Sequence, residues 1–303
     1  MIDESSANVG PEEAGAKDEI KQVAVEEEVK AQSLWSEHIA SQKDIVLGLL
    51  DQAVPNFEET KIIEIKDTQT GGSHPVEIIV ITADGPRSYF FKRDDTSYYS
   101  QALVRELGQV VGIAFPQVWR TGDEEDGFRE PRLVQDESVK FEDRGSTFIK
   151  SKGVLVEGVR GATLAEIDNL SETDATDIGA LIGFCHIFGV YDMKLDHVFK
   201  TGQGFVKIDN EILFNFYDVA GMKIRLNLDH EREAGVAVLE SSGLLGDRNG
   251  EAFNGGMKAV YLQIAQVEGH VREILLKGIG KVNELDEVRI GMVMDNIHRN
   301  VSK

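Results

Sequence analysis

Cysteine is almost missing from this chain: Cys185 is the single one among 303 residues. No intrachain disulfide can form, and no zinc-type spacing of cysteine and histidine is present. Cys185 lies in the apolar run Ile182-Gly183-Phe184-Cys185, which predicts a buried structural thiol rather than a reactive one. Positive charge is also scarce. Lys and Arg number 32 against 53 Asp and Glu, for a net charge of −21. That balance argues against nonspecific binding to nucleic acid or to an anionic membrane, so no nucleic-acid partner is expected. Long apolar runs are absent, and the N-terminus lacks the apolar core of a signal peptide. A soluble, cytoplasmic protein is the expectation. Internal repeats and a Gly-x-Ser-x-Gly elbow are missing too.

Hydrophobic residues make up 41% of the chain, enough for a proper core. Residues 1–18 are acidic and poor in apolar side chains, and read as a disordered tail. Over residues 19–55 apolar positions recur at helical spacing, from Val23 through Trp35 to Leu50, and Pro55 ends the pattern. This extension is either one or two helices packed on the next domain, or a helix presenting Trp35 to a protein partner.

Three strands in series follow, at Lys61–Lys66, Val76–Ile81 and Ser88–Arg93. The turn between the first two contains Gly71 and Gly72. It serves either as a plain hairpin turn or as a loop whose bare amides approach phosphate oxygens. Lys92 ends the third strand, and Tyr98–Val111 reads as a helix that carries Glu106. Gly153–Val156 is β-rich, and Thr176–Phe188 is a buried helix in which His186 reads as a core or edge histidine. Glu240–Asn254 reads as a loop because of its glycines. One helix is expected from Gly256 to Leu275 and another over Val282–Ile297.

The stretch Gly189–Phe199, with Val206–Glu211 behind it, carries the candidate chemistry. Asp192 begins a polar turn and Asp196-His197 closes it. Val198-Phe199 and Phe205–Ile208 form a hairpin around Thr201-Gly202-Gln203-Gly204, with Asp209 at its end. Such a hairpin would bring Asp192, His197 and Asp209 to one end of the structure, where they could hold a divalent metal and position a hydroxyl.

This order of motifs resembles the protein-kinase-like superfamily, nearest to the phosphatidylinositol 3-/4-kinase-like and HipA-type kinase branch. The resemblance spans roughly residues 60–280. It rests on Asp192, on His197 five residues later where ordinary kinases place Asn, and on Ile208-Asp209-Asn210. It implies an α+β, two-lobed kinase-like fold, with an antiparallel β-rich N-lobe over residues 56–156 and a mainly helical C-lobe over 157–303. It also implies an ATP-dependent phosphotransferase acting on a hydroxyl of a protein, lipid or small molecule. In that scheme Asp192 is catalytic, and Lys92 meets the nucleotide phosphates and pairs with Glu106. Gly71 and Gly72 cover the phosphates. The adenine bonds backbone groups near Glu157 and Val159. His197 and Asp209 hold Mg2+ or, given the imidazole, Mn2+. Two further readings share the fold: a nucleotide-binding pseudokinase or interaction module, and an enzyme that transfers AMP.

Overall fold

The computed structural model describes residues 35, 37–67, 75–92, 98–120, 153–190, 193–210, 216–217, 225–226, 239–240, 242–245, 249–279, 282 and 285–301. Gly71, Gly72 and Asp192 lie outside the described residues, as do the acidic tail, the first half of the helical extension and Ser146–Lys150.

The fold is mixed α and β. Strands β1 (Ile62–Asp67), β2 (Val76–Thr82) and β3 (Gly85–Lys92) follow one another as an antiparallel meander. Strand β5 (Val154–Glu157) adds to β3, and β4 (Val118–Arg120) adds to β5, which gives the order β1-β2-β3-β5-β4. The sequence dictates one face by alternation. Val76, Ile78, Val80, Tyr89, Phe91 and Leu155 are buried there. They pack under helices α1 (Glu37–Ala40) and α2 (Lys43–Ala53), which contribute Ile39, Val46, Leu49 and Leu50. Trp35 packs against the same cluster, and its indole N–H donates to Glu59 Oε1 at 3.2 Å. The described part of the extension thus lies on the sheet.

Helix α3 (Tyr98–Val110) buries Leu103, Val104 and Leu107 in a second apolar cluster, together with the C-terminal helices. That cluster centres on α4 (Glu172–Phe188) and α5 (Gly250–Gln266), with α6 (Glu268–Gly278) and α7 (Glu287–Val301) around them. Helix α4 begins four residues earlier than its apolar run suggests. Ser171 and Asp174 form a reciprocal capping box that extends it. It stops at Gly189, which is left-handed at φ 59°, and the Val190 amide returns to the Cys185 carbonyl at 2.9 Å. Cys185 is buried, as its setting predicted. His186 is a buried core histidine, with Nδ1 2.7 Å from the Tyr261 hydroxyl.

Two expectations need correction. Residues 250–254 are helical, not loop, and the helix expected from Gly256 to Leu275 is two helices broken at Val267. Gly256 of α5 and Gly179 of α4 mark close packing rather than a turn. A Cβ on Gly256 would run into the Thr176 carbonyl, and one on Gly179 into the Phe253 carbonyl. No helix among the described residues is long and apolar enough to cross a membrane.

A small sheet joins β6 (Ala162–Thr163) to the hairpin of β7 (Val198–Thr201) and β8 (Gly204–Lys207). A further two-residue ladder pairs β9 (Phe216–Tyr217) with β10 (Arg225–Leu226).

Candidate functional site

The β7–β8 hairpin forms where its composition places it. Gly204 takes φ 102° after the turn, and the Thr201 hydroxyl donates to the Gly204 carbonyl at 2.9 Å. Register pairs Val198 with Lys207. One residue beyond that pair, the Ile208 amide donates to the His197 carbonyl at 2.8 Å. His197 itself ends a 3-10 turn at Leu195–His197. This main-chain bond sets the His197 backbone beside that of Ile208, one residue before Asp209, at the open end of the hairpin.

Asp209 is one of two described non-glycine residues at positive φ, at 57°. L-residues avoid this region, although Asp and Asn enter it more readily than most. Such a conformation persists only where its surroundings over-determine it, and it concentrates at functional sites. Lys207 and Asn210 are those surroundings. The Lys207 side chain is fully buried at 0% exposure, and Asn210 is at 2%. Lys207 Nζ donates to the carbonyls of Ile208 at 3.1 Å and Asp209 at 3.2 Å, and to Asn210 Oδ1 at 3.2 Å. Asn210 Nδ2 returns a bond to the Lys207 carbonyl at 3.0 Å. The sequence assigns Lys207 no role beyond its place in the return strand, and Asn210 enters only through Ile208-Asp209-Asn210; a lysine two residues before a candidate ligand is the one hint of more.

The Asp209 carboxylate faces the large sheet. Its Oδ1 is 3.5 Å from Lys92 Nζ, although the two residues stand 117 apart in sequence. The Lys92 side chain is 13% exposed and that of Asp209 is 39% exposed, so the pair opens to solvent on the aspartate side. Register aligns Lys92 with Val154 on β5 and Val154 with Arg120 on β4. Directly opposed residues share a face, so Lys92 and Arg120 flank the buried Val154. Phe90, Val156 and Val118 form the next row of that face, and all three are half buried. The result is a half-covered apolar surface edged by two cations.

Arg120 is held in place by aromatic rings. Its guanidinium lies 5.2 Å from the ring centre of Tyr98 and 4.8 Å from that of Tyr99, and it donates to the Tyr99 hydroxyl. Burial pushes the Tyr98 phenol up, against the opposing pull of Arg120. This contact ties β4 to the first turn of α3, the helix on which Glu106 sits half buried.

Glu157 ends β5. Its amide donates to the Gln117 carbonyl at 2.8 Å, and the Gly158 amide donates to the Ser88 carbonyl at 2.8 Å. The carboxylate accepts from the Gln117 amide at 3.3 Å and lies 3.8 Å from Arg87. Val159 follows outside any strand and is half buried. The expected phosphate-covering loop lies outside the described residues. Its anchors Asp67 and Val76 pair at the same end of the sheet as Phe91, next to Lys92.

The arrangement brings a lysine ammonium to a half-exposed carboxylate in a left-handed turn at the edge of an apolar sheet face, with an imidazole-bearing residue joined to the same turn through its main chain. The chain matches no protein-family model, and no curated protein is similar to it.

Proposed function

We propose that this protein transfers a phosphoryl group from ATP to a hydroxyl, with Lys92 on the nucleotide phosphates and Asp209 as the principal metal-holding carboxylate. One observation carries the reading: the approach of Lys92 and Asp209 to 3.5 Å at the edge of a half-covered apolar face. Phosphoryl transfer asks for little covalent chemistry from a protein. It needs a cation on the phosphates, a carboxylate for the metal and a group beside the attacking hydroxyl. A lysine and a carboxylate that serve the same phosphates must converge from distant parts of the chain, as these two do.

The donor chemistry fits a divalent cation. Asp209 offers oxygen ligands at 39% exposure, and His197 is joined to the same turn through the Ile208 amide. Imidazole suits Mn2+ better than Mg2+, which favours manganese. Held by Asp209 and His197, such a cation would supply positive charge to offset that developing on the phosphates. Lys92 adds a fixed positive charge on the other side, and its shielding at 13% exposure strengthens that charge's effect on phosphate. The row Phe90, Val156 and Val118 offers an apolar surface to a purine. The amides of Glu157 and Gly158 are committed to the sheet, so base recognition falls to the other backbone groups of Glu157–Val159. Glu106 is the expected partner of Lys92, and Asp192 the expected orienting group for the hydroxyl.

Thermal shift with ATP, ADP and GTP, each with MgCl2 or MnCl2, tests the reading, because a ligand bound only by the folded state raises the melting temperature. ATP with metal should stabilise the protein. Lys92→Met and Asp209→Asn should both remove that shift while melting cooperatively without ligand. A shift that survives in both variants would overturn the assignment. Mass analysis of modified acceptors then separates phosphate transfer from AMP transfer, and binding without either product identifies a pseudokinase.

A further inference from the structure

Lysine is rarely buried unless its ammonium is satisfied, because taking the charge out of water is costly. Lys207 is fully buried, and three of the oxygens around its ammonium belong to the three residues that follow it. Two of them are the carbonyls that flank the Asp209 α-carbon on either side, those of Ile208 and Asp209. Both carbonyls must turn toward one point. That requirement fixes the two peptide planes about Asp209, and with them its φ of 57°. The Asp209 carboxylate meanwhile lies 3.5 Å from Lys92 Nζ. Asn210 completes the turn by accepting from Lys207 Nζ and donating to the Lys207 carbonyl.

We propose that Lys207 is a positioning residue: its buried ammonium gathers the Ile208 and Asp209 carbonyls and so holds the Asp209 carboxylate in the orientation that receives a divalent cation. This rests on the reading of Asp209 as a metal-holding group. The two lysines have separate jobs. Lys92 lies beside the Asp209 carboxylate, where it would meet ligand, and Lys207 acts on the main chain of the same turn. A long cation is suited to the task because one ammonium can donate to several oxygens at once. Methionine in its place has similar length and bulk but gathers nothing, and the two carbonyls lose a buried partner.

The experiment uses the full chain, ATP and MnCl2. The melting temperature is followed as MnCl2 is titrated at fixed saturating ATP, and separately as ATP is titrated at saturating MnCl2. Lys207→Met should raise the half-saturating MnCl2 concentration at least tenfold and change the ATP requirement at saturating metal less than threefold. A purely structural lysine would lower the ligand-free melting temperature and leave the metal requirement where it was. A folded Lys207→Met protein with the parent's metal requirement overturns the proposal. Should that variant fail to fold, Asn210→Ala retains the ammonium but removes one of its partners. It should shift the metal requirement severalfold in the same direction, and an unchanged requirement overturns the proposal equally. A parent protein that shows no metal-dependent ATP binding overturns the functional reading and this inference together. A parent that binds, with variants that do not differ from it, overturns this inference alone.

Discussion

Gly256 of α5 lies directly against the carbonyl of Thr176 on α4, with no room for a Cβ between them. The reverse contact, Gly179 against the Phe253 carbonyl, stands one turn away. These two glycines let the central helices of the second cluster approach backbone to backbone.

Alanine at either position must push the helices apart. Overpacking of this kind costs about 1–3 kcal/mol, and Gly256→Ala and Gly179→Ala should each show it as a lower urea midpoint. Gly255 is exposed on the same helix and has open space around it. Gly255→Ala should stabilise by about 0.5–1 kcal/mol, since it gains helix propensity without a clash. Equal effects at positions 255 and 256 would mean that the two helices do not meet here.

The contrast explains why this part of the chain was hard to read. Gly243, Gly246 and Gly250 signal a loop over Glu240–Asn254 when only sequence is available, because a glycine at a helix start looks like one in a loop until the helix is known, yet Gly250 opens α5. The first three strands were legible from alternation, and the β7–β8 hairpin from its Thr-Gly-Gln-Gly turn, since both signals are local. The site was legible in part. Lys92 and Asp209 each end an apolar strand, and a resemblance suggested that they meet. Lys207 was not legible, because its role depends on a left-handed turn that nothing in Lys-Ile-Asp-Asn announces.

The single thiol offers a simple probe. Cys185 is buried in α4, within the second apolar cluster. In native protein it should react with a soluble aromatic disulfide far more slowly than a free thiol does, and the rate should rise with denaturant in step with loss of helical circular dichroism. Rapid labelling under native conditions would show that α4 opens locally.

A pH-dependent contact joins α4 to the hairpin. Lys200 Nζ lies 2.7 Å from Asp174 Oδ2. Burial works to raise the Asp174 carboxyl, but Lys200 and the Ser171 hydroxyl and amide outweigh it, and the group sits below its ordinary value. A lowered folded value means that its contribution is present above the unfolded pKa, about 4, and is lost as pH falls through the folded one. Lys200→Met should therefore melt lower at neutral pH, with a shallower decline in acid. Asp177 carries the opposite sign, since burial and then the Asp174 charge raise it. Its ionised form opposes folding, so Asp177→Asn should raise the melting temperature at pH 7, and the gain should shrink as pH falls below the raised value and be gone below the ordinary one. Parallel melting curves for all three proteins across the acid range would contradict this assignment.

Asp209 should matter little to folding and a great deal to binding. Its contact with Lys92 is 3.5 Å long, and its carboxylate is 39% exposed. Pairs of that kind contribute about 0–1 kcal/mol. Asp209→Asn keeps a residue that tolerates the left-handed region, so it should alter ligand-free stability by no more than about 1 kcal/mol. Asp209→Gly removes the steric penalty of that region, about 1–2 kcal/mol for an ordinary L-residue and less for Asp, and adds the chain entropy of glycine, about 0.5–1 kcal/mol. The two terms nearly cancel, so the glycine variant should also fold as the parent does. Both variants should lose the stabilisation by ATP and MnCl2, because neither presents a carboxylate to the cation. Urea unfolding with and without the nucleotide separates the two effects. A large ligand-free loss in both variants would make Asp209 a structural residue of the turn. A retained ATP–Mn2+ shift in either would remove it from the site.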